Sequence, residues 1–222
     1  MCGRLALTLP PDSVAHLFDA SFLTATNMEP RYNVCPTQDI LACVLKDGTR
    51  RIVTFRWGFI PRWYKSPNDG PLLINARSET IADKPAFKSS ARTRRCLIPA
   101  SGFYEWTKAD DGGKDPSYIY PQNGDAFAFA GVWRDWTSPE GDMLSTAAIV
   151  TCAANDEIAA IHHRMPVVVA PADFGLWLGE EGKGAATLMK PAPLGVVASH
   201  RVSRDVNSSR ADGAQLVDPV HA

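Results

Sequence analysis

The chain begins MCGR, and its second residue has the type and position that covalent chemistry at a chain end requires. Removal of Met1 would leave Cys2 with an α-amine and a thiol on neighbouring carbons. An α-amine has a reference pKa of about 8, so part of it is neutral at neutral pH and can condense with an aldehyde. The thiol could then add to the imine and close a five-membered ring. An accidental cysteine near the chain start is the plainer alternative.

Two further segments contain side chains that could transfer protons. Glu105 lies in GFYEW, a predicted strand, where burial would raise the pKa of its carboxyl group. A water-facing Glu105 would be an ordinary surface acid. His162 and His163 lie in IHHRMP, at the predicted end of a short helix. Histidine titrates closest to neutral pH, so one of these rings could act as an acid or base, although capping the helix is equally common.

Polar and aromatic residues in two other segments could contact a nucleic acid. Asn75 and Arg77 lie in LINARSET, where helix capping explains Asn75 and phosphate binding is open to Arg77. Aromatic and basic residues alternate in FRWGFIPRWYK, with Trp57, Trp63 and Tyr64 as the rings. Such alternation suits single-stranded nucleic acid, whose bases stack on rings, and it equally suits a core strand.

The composition is typical of a soluble globular protein. The 222 residues are 45% hydrophobic and 21% charged. No apolar run approaches the roughly 18 residues that a membrane span needs, and no signal peptide is recognised, so a cytoplasmic protein is expected. Five scattered cysteines without a C-x-x-C pair predict free thiols and no metal site. A net charge of −1 excludes proteins that coat nucleic acid by bulk charge. Clustered arginines at 50–62 and 92–95 leave a local basic groove open.

The elements that must position these residues are mostly short strands. Asp47-Gly48 between apolar runs predicts a hairpin, and Pro11-Asp12-Ser13 predicts the start of a short helix. Further strands are expected at CLIPA, GFYEW, SYIY, AFAFAGVW, LSTAAIVT and PVVVA, short helices at about 76–82, 85–91, 155–162 and 171–179, and an exposed loop at 108–116. The pattern predicts one α+β domain over residues 1–222, with a curled antiparallel sheet or open barrel at its core.

Taken together, the motifs resemble those of a known family. MCGR, RYNVCPT, RWGFIP, NARSET, RRCLIPASGFYEW, AGVW, IVTCAAN and IHHRMP follow one another, and VSRDVNSS lies near the end. This set is similar to the SRAP family, the abasic-site processing proteins once named SOS-response-associated peptidases. The resemblance implies the SRAP fold and a protein that binds abasic sites in single-stranded DNA through a covalent thiazolidine crosslink. A monomer without cofactor, metal ion or membrane contact is expected.

The resemblance also implies roles for individual residues. Matched by motif, the catalytic residues are Cys2 as nucleophile, Asn75 to position its amine, Glu105 for proton transfer and His162 to assist. The implied DNA-binding residues are Arg4, Arg77 and Arg164 on the phosphates, with Trp106 and Thr151 as weaker matches along the same groove. His163 occupies a position that is more often acidic or polar in the family, so its role is open.

Two other function classes fit the same residues. In an N-terminal nucleophile hydrolase, Cys2 would attack an amide with its own amine as base, and self-cleavage could remove Met1. In a binding module without chemistry, the arginines and tryptophans would recognise DNA and Met1 would be retained. Weak strand cleavage at the lesion, by β-elimination from a lingering imine, is expected as a side activity of the crosslinking protein.

Overall fold

The computed structural model describes residues 2–24 and 28–220. Its strands are β1 Leu5–Leu7, β2 Ser21–Phe22, β3 Arg31–Val34, β4 Asp39–Lys46, β5 Thr49–Trp57, β6 Asn75–Arg77, β7 Arg95–Ala100, β8 Gly102–Lys108, β9 Lys114–Pro121, β10 Phe127–Thr137, β11 Met143–Ala153, β12 Arg164–Pro166 and β13 Val197–Arg201. Its α-helices are α1 Pro11–Phe18, α2 Lys88–Thr93, α3 Asp156–Ala159 and α4 Phe174–Leu178. Single 3₁₀ turns cover Pro171–Asp173, Ala185–Leu188, Arg204–Asn207 and Ala214–Val217.

Five strands close into a barrel. β11, β10, β7, β4 and β5 are neighbours in that order, and β5 returns to pair with β11 in parallel, with Thr146 opposite Arg56 and Ala147 opposite Trp57. Closure removes the exposed edge that an open sheet would leave, and the inward-facing apolar residues fill the interior. The expected barrel is therefore present, and it is closed by a parallel pair.

A second sheet carries the start of the chain. Its strand order is β13, β9, β8, β1, β3, so β1 lies between β8 and β3. β7 and β8 are separated only by Ser101, so the chain passes directly from the barrel into this sheet. A Cβ atom on Gly102 would lie 2.4 Å from the Tyr118 ring, so the first position of β8 requires glycine. The chain start is thus held beside the strand that carries Glu105.

Several local predictions are confirmed. Asp47 and Gly48 both have positive φ, the conformation of a tight hairpin turn, and join β4 to β5. α1 begins at Pro11, and the Asn155 side chain caps α3 by accepting a hydrogen bond from the Ile158 amide. The helix expected at 171–179 is the 3₁₀ turn at Pro171–Asp173 followed by α4.

Other local predictions are wrong. The residues at 75–77 form strand β6, because the chain pairs there with β11 in parallel, Asn75 opposite Ile149. Asn75 is therefore not a helix cap. α3 ends at Ala159, so the two histidines follow the helix rather than end it. The exposed loop covers only 109–113, since β8 and β9 extend across the rest of 108–116.

The core decides the role of residues for which the sequence left two alternatives. Trp57 is fully buried and donates a hydrogen bond from Nε1 to the Ile74 carbonyl, so it is a core residue and not a stacking surface. The free cysteines of the described residues are all buried, Cys2 among them. In the same residues, no helix combines the length and the apolar character that crossing a bilayer takes.

Candidate active site

The chain start is fixed by backbone pairing and by one side chain. The Tyr104 amide donates to the Arg4 carbonyl at 3.0 Å, and Leu5 lies opposite Phe103. Asn75 Nδ2 donates to the Cys2 carbonyl at 2.9 Å. Cys2 is 0% exposed, and burial raises the pKa of its thiol, with a further increase from the nearby Glu105 carboxylate. Strands from both sheets therefore converge on residue 2.

One acceptor atom of the Asn75 side chain is unpaired in the described part of the chain. Its Oδ1 atom is buried and has no hydrogen-bond partner among the described residues. Leaving a buried polar atom unpaired costs about 1–3 kcal/mol, so a ligand that donates to it would recover that free energy. The amide thus holds the Cys2 carbonyl with its nitrogen and offers an oxygen beside it.

Glu105 and His162 form a pair of proton-transfer groups. His162 Nε2 lies 4.0 Å from Glu105 Oε2. Burial raises the pKa of Glu105 to about 7, and burial lowers the pKa of His162. Both groups are thereby pushed towards their neutral forms, so a carboxyl group that titrates near neutral pH lies beside an uncharged imidazole.

The His162 ring is oriented by the backbone of Arg164, the first residue of β12. Its Nδ1 atom lies 3.0 Å from the Arg164 amide and 3.1 Å from the Arg164 carbonyl, which leaves Nε2 facing Glu105. His163 stacks on His162 with ring centroids 4.3 Å apart and is exposed. Only the first histidine therefore contacts Glu105.

Arg164 and Thr151 lie together at the edge of the barrel. The guanidinium of Arg164 donates to both carboxylate oxygens of Glu79, at 2.6 and 2.9 Å, and to the Thr151 carbonyl at 2.7 Å. Thr151 itself is fully buried, and its carbonyl also accepts from the Ser78 amide at 2.8 Å. These contacts fix the backbone that carries His162.

Arg4 and Trp106 are held by the C-terminal segment. Arg4 Nη1 donates to Asn33 Oδ1 and to the Val206 carbonyl, both at 2.6 Å. The Trp106 ring lies 5.7 Å from the Arg4 guanidinium carbon, and its Nε1 donates to Asn207 Oδ1 at 2.6 Å. No local pattern indicated this role for Val206 and Asn207, because the contacts join positions 202 and 101 residues apart in the chain.

Arg77 differs from the other two arginines. It lies on β6, one residue past Ala76, and is exposed. It makes no hydrogen bond or ion pair with its side chain to any residue in 2–24 or 28–220. Its charge is therefore available to a ligand.

A groove of ≈ 560 Å³ opens beside the proton-transfer pair. It is lined by Glu105, Trp106, Thr107, Lys108, Gly112, Gly113, Lys114 and His162. Lys108 and Lys114 lie opposite each other on β8 and β9 and add positive charge to its far end. The sequence did not single out these lysines, because their segment was assigned to an exposed loop. A larger apolar cavity of ≈ 730 Å³ beside α1 contains none of the predicted site residues.

The site combines a carboxyl group, an imidazole and a thiol. Among the described residues, no three His, Cys, Asp or Glu side chains are close enough to hold a metal ion. The structure brings Cys2, Asn75, Glu105 and His162 to one place, with Trp106 beside the groove. Arg4, Arg164 and Thr151 contact the scaffold around them, and Arg77 faces the solvent.

Comparison with known proteins identifies the family to which this chain belongs. The profile described as SOS response associated peptidase (SRAP) matches residues 1–209. The chain is 37% identical to the abasic site processing protein YoaM of Bacillus subtilis, covering 98% of each chain, and 32% identical to YedK of Escherichia coli, covering 99% of this chain and all of that one. A crystal structure of a Bacteroides thetaiotaomicron protein, 24% identical, has the same fold, with a TM-score of 0.88 over 99% of this chain and all of that one. The chain belongs to the SRAP family.

Proposed function

We propose that this protein binds abasic sites in single-stranded DNA and, after removal of Met1, joins Cys2 to the lesion as a thiazolidine. Its relatives YoaM and YedK are named abasic site processing proteins, which supports abasic DNA as the substrate. The observation that carries the proposal is the convergence of the chain start with Asn75 and with the Glu105–His162 pair, 4.0 Å apart. An aldehyde placed there meets an amine, a thiol and groups able to move the protons.

The amine forms the first bond. Burial keeps the Cys2 thiol protonated at neutral pH, so the α-amine is the better nucleophile at the start. The Glu105 carboxylate removes a proton from the ammonium, and the amine adds to the aldehyde carbon of the opened sugar. The protonated Glu105 then supplies a proton to the carbinolamine hydroxyl, which leaves as water and gives the protonated imine, with Glu105 again a carboxylate.

The thiol closes the ring. Sulfur adds to the imine carbon, the thiol proton goes to the Glu105 carboxylate, and the electron pair of the C=N bond passes to nitrogen. One aldehyde, one amine and one thiol are consumed and one water is released, without any oxidant. An amine that lacks a neighbouring thiol, such as that of lysine, stops at the imine.

His162 acts in the opening of the sugar ring. The abasic deoxyribose is mostly a closed hemiacetal, and only its open form has the aldehyde. We assign to His162 Nε2, which faces Glu105, the proton that passes to the ring oxygen and opens the sugar. The same groups catalyse the reverse steps, so the adduct is slowly reversible.

The test is to weigh the product. Purified protein mixed with a single-stranded oligonucleotide that contains one abasic site is expected to give one new species. Its mass is the sum of the processed protein and the oligonucleotide minus one water, and it survives heating. An oligonucleotide with a normal base at that position is the control. Absence of this species with fully processed protein would contradict the proposal.

Arg77 is expected to contribute one phosphate contact. Each phosphate neutralised on a single strand makes log affinity fall with log salt by about 0.7. Arg77→Ala should therefore bind undamaged single-stranded DNA more weakly at low salt and with a slope shallower by about 0.7, as measured by fluorescence anisotropy across a salt series. Arg77→Lys keeps the charge and should keep the slope. An unchanged slope in Arg77→Ala would remove this residue from the interface.

A further inference from the structure

A second group of arginines lies outside the site described above. Most arginines of the two basic stretches make structural contacts: Arg50 pairs with Glu180 at 2.7 Å, and Arg95 donates to backbone carbonyls including that of Arg92. The guanidinium groups of Arg62 and Arg94 have no oxygen partner of this kind among the described residues. Neither makes an ion pair with a carboxylate in residues 2–24 or 28–220, and neither donates a hydrogen bond there with its side chain.

The fold brings these two arginines to a third, Arg134 on β10. The Trp133 amide donates to the Arg94 carbonyl at 2.9 Å, and the Arg94 guanidinium carbon lies 5.8 Å from the Trp133 ring. Trp136 Nε1 donates to the Tyr64 carbonyl at 2.9 Å, which holds the segment after Arg62 against the same strand. Three chain segments therefore place their arginines around one stretch of β10, and we call Arg62, Arg94 and Arg134 the arginine cluster.

The charges of the arginine cluster repel one another. Burial lowers the pKa of Arg134, and the charges of Arg94 and Arg62 lower it further. The carboxylate of Asp135 offsets part of this repulsion, but it points to the opposite face of the strand and accepts a hydrogen bond from Ser145 Oγ at 2.6 Å. The Arg134 guanidinium lies 5.8 Å from the Phe59 ring, which holds it in place. Like charges that the fold keeps together without an ion pair are stabilised when an anion binds.

The arginine cluster lies within reach of a strand bound at the site. Arg134 is opposite Thr146, and Arg77 is opposite Thr151, five residues further along β11. At about 3.4 Å per residue, the two pairing positions are about 17 Å apart along β11. Because five is an odd number, strand alternation turns Arg134 and Arg77 to opposite faces of the sheet, so a DNA strand that contacts both has to pass around the loop that joins β5 to β6. The distance along β11 sets a minimum span of about five nucleotides of a stacked strand. The loop between Trp57 and Asn75, which contains Arg62, begins and ends beside β11 and connects the two places.

We infer that the arginine cluster is a second phosphate-binding surface, which holds the DNA strand a few nucleotides away from the abasic site. This inference rests on the proposed function, since it assigns the flanking strand to a surface beyond the reacting groups. It makes a distinctive prediction. The arginines of the cluster should matter only for strands long enough to reach from the lesion to β10.

The experiment compares two strand lengths and one double variant. Undamaged single strands with about two and about twelve nucleotides on each side of the central position are bound to the parent protein and to Arg62→Ala/Arg94→Ala. For the long strand, the variant should lose affinity and show a salt slope shallower by about 1.4, the effect of two phosphates at about 0.7 each. For the short strand, the variant should equal the parent.

The controls separate charge from folding. Arg62→Lys/Arg94→Lys keeps both charges and should keep the length dependence. Lys46→Ala removes one exposed charge at the Thr49 end of β5, the end away from Arg56, and should have no effect. Thermal unfolding of each variant checks that the fold is kept. Equal loss on both strands, or no loss on the long strand, would overturn the inference.

The two proposals fail in different ways. Abasic versions of the same strands are weighed in parallel with the parent protein. If the adduct forms but the double variant equals the parent on the long strand, the arginine cluster is excluded and the proposed function stands. If no adduct forms with either length while the variant shows the length-dependent loss, the covalent step is wrong and the arginine cluster is still a strand-binding surface.

Discussion

Cys2→Ala is expected to abolish the heat-stable adduct with abasic single-stranded DNA, lowering its yield by at least about 100-fold, because the alanine chain end has no thiol to close the ring. Alanine is also small enough for Met1 to be removed, so the variant keeps the α-amine and can still form the imine. Borohydride reduces an imine to a stable amine. The variant should therefore give an adduct with borohydride and none without it, whereas the parent needs no reductant.

The measurement is a time course of adduct formation on denaturing gels, with intact mass spectrometry of each product. Cys35→Ala removes a thiol from another buried position and should leave the adduct unchanged. Cys2→Ala leaves a small cavity in the buried site and should cost about 1 kcal/mol of stability, which urea unfolding can check. Binding to undamaged strand should stay within about twofold of the parent. A heat-stable adduct of Cys2→Ala, formed without reductant at the parental rate, would exclude the thiazolidine.

Glu105→Gln is expected to slow adduct formation by about 100-fold and to change its pH dependence. In the parent, the rate should rise with pH through about 7, where the buried carboxyl group loses its proton and becomes able to accept one. Glutamine cannot accept that proton, so this rise should disappear. A second rise near pH 8, from the α-amine, should remain in both proteins. A variant that keeps the rise through pH 7 would assign that titration to another group.

The same substitution should raise stability at alkaline pH. Burial raises the pKa of Glu105 from 4.5 to about 7, so the folded protein holds this proton more tightly than the unfolded chain. The resulting stability is fully present below pH 4.5 and is lost as the pH rises through 7, an effect of about 3 kcal/mol. Glu105→Gln has no carboxyl group to ionise, so its free energy of unfolding should exceed that of the parent at pH 8 and equal it at pH 4.5. Urea unfolding at both pH values measures this, with exposed Glu140→Gln as the control.

The local patterns in the sequence were enough to predict much of the fold. The Asp47-Gly48 turn, the Pro11 helix start and the Asn155 cap are all set by residues next to one another, and each is confirmed. Asn75 shows where local patterns fail. Its segment resembles a short helix, but pairing with β11, about 75 residues later, makes it a strand. Such pairing depends on which segments meet in the folded chain, and propensity does not encode that.

The site shows the same difference between features that local sequence predicts and features that depend on long-range contacts. The sequence placed Glu105 in a strand but left open whether it is buried or faces water; in the structure it is buried on β8, and burial raises the pKa of its carboxyl group. The motifs suggested Cys2 and His162, but only the structure gives the 4.0 Å between His162 and Glu105. The contact of Arg4 with Val206 could not be read from the sequence, because neither residue carries a local signal for the other. The roles of these residues in the reaction stay predictions.

The hydrogen bond between Arg4 and Val206 joins residues 202 positions apart, and this separation affects when the chain start folds during synthesis on the ribosome. β1 can pair with β3 early, but its pairing with β8 and the contact of Arg4 with Val206 form only after those later segments have left the exit tunnel. Contacts of such long range form late in folding. The contacts that β8, Asn75 and Val206 make with the first residues are thus completed only later in translation. An aminopeptidase that trims Met1 has that interval to act, before residue 2 becomes inaccessible inside the finished fold.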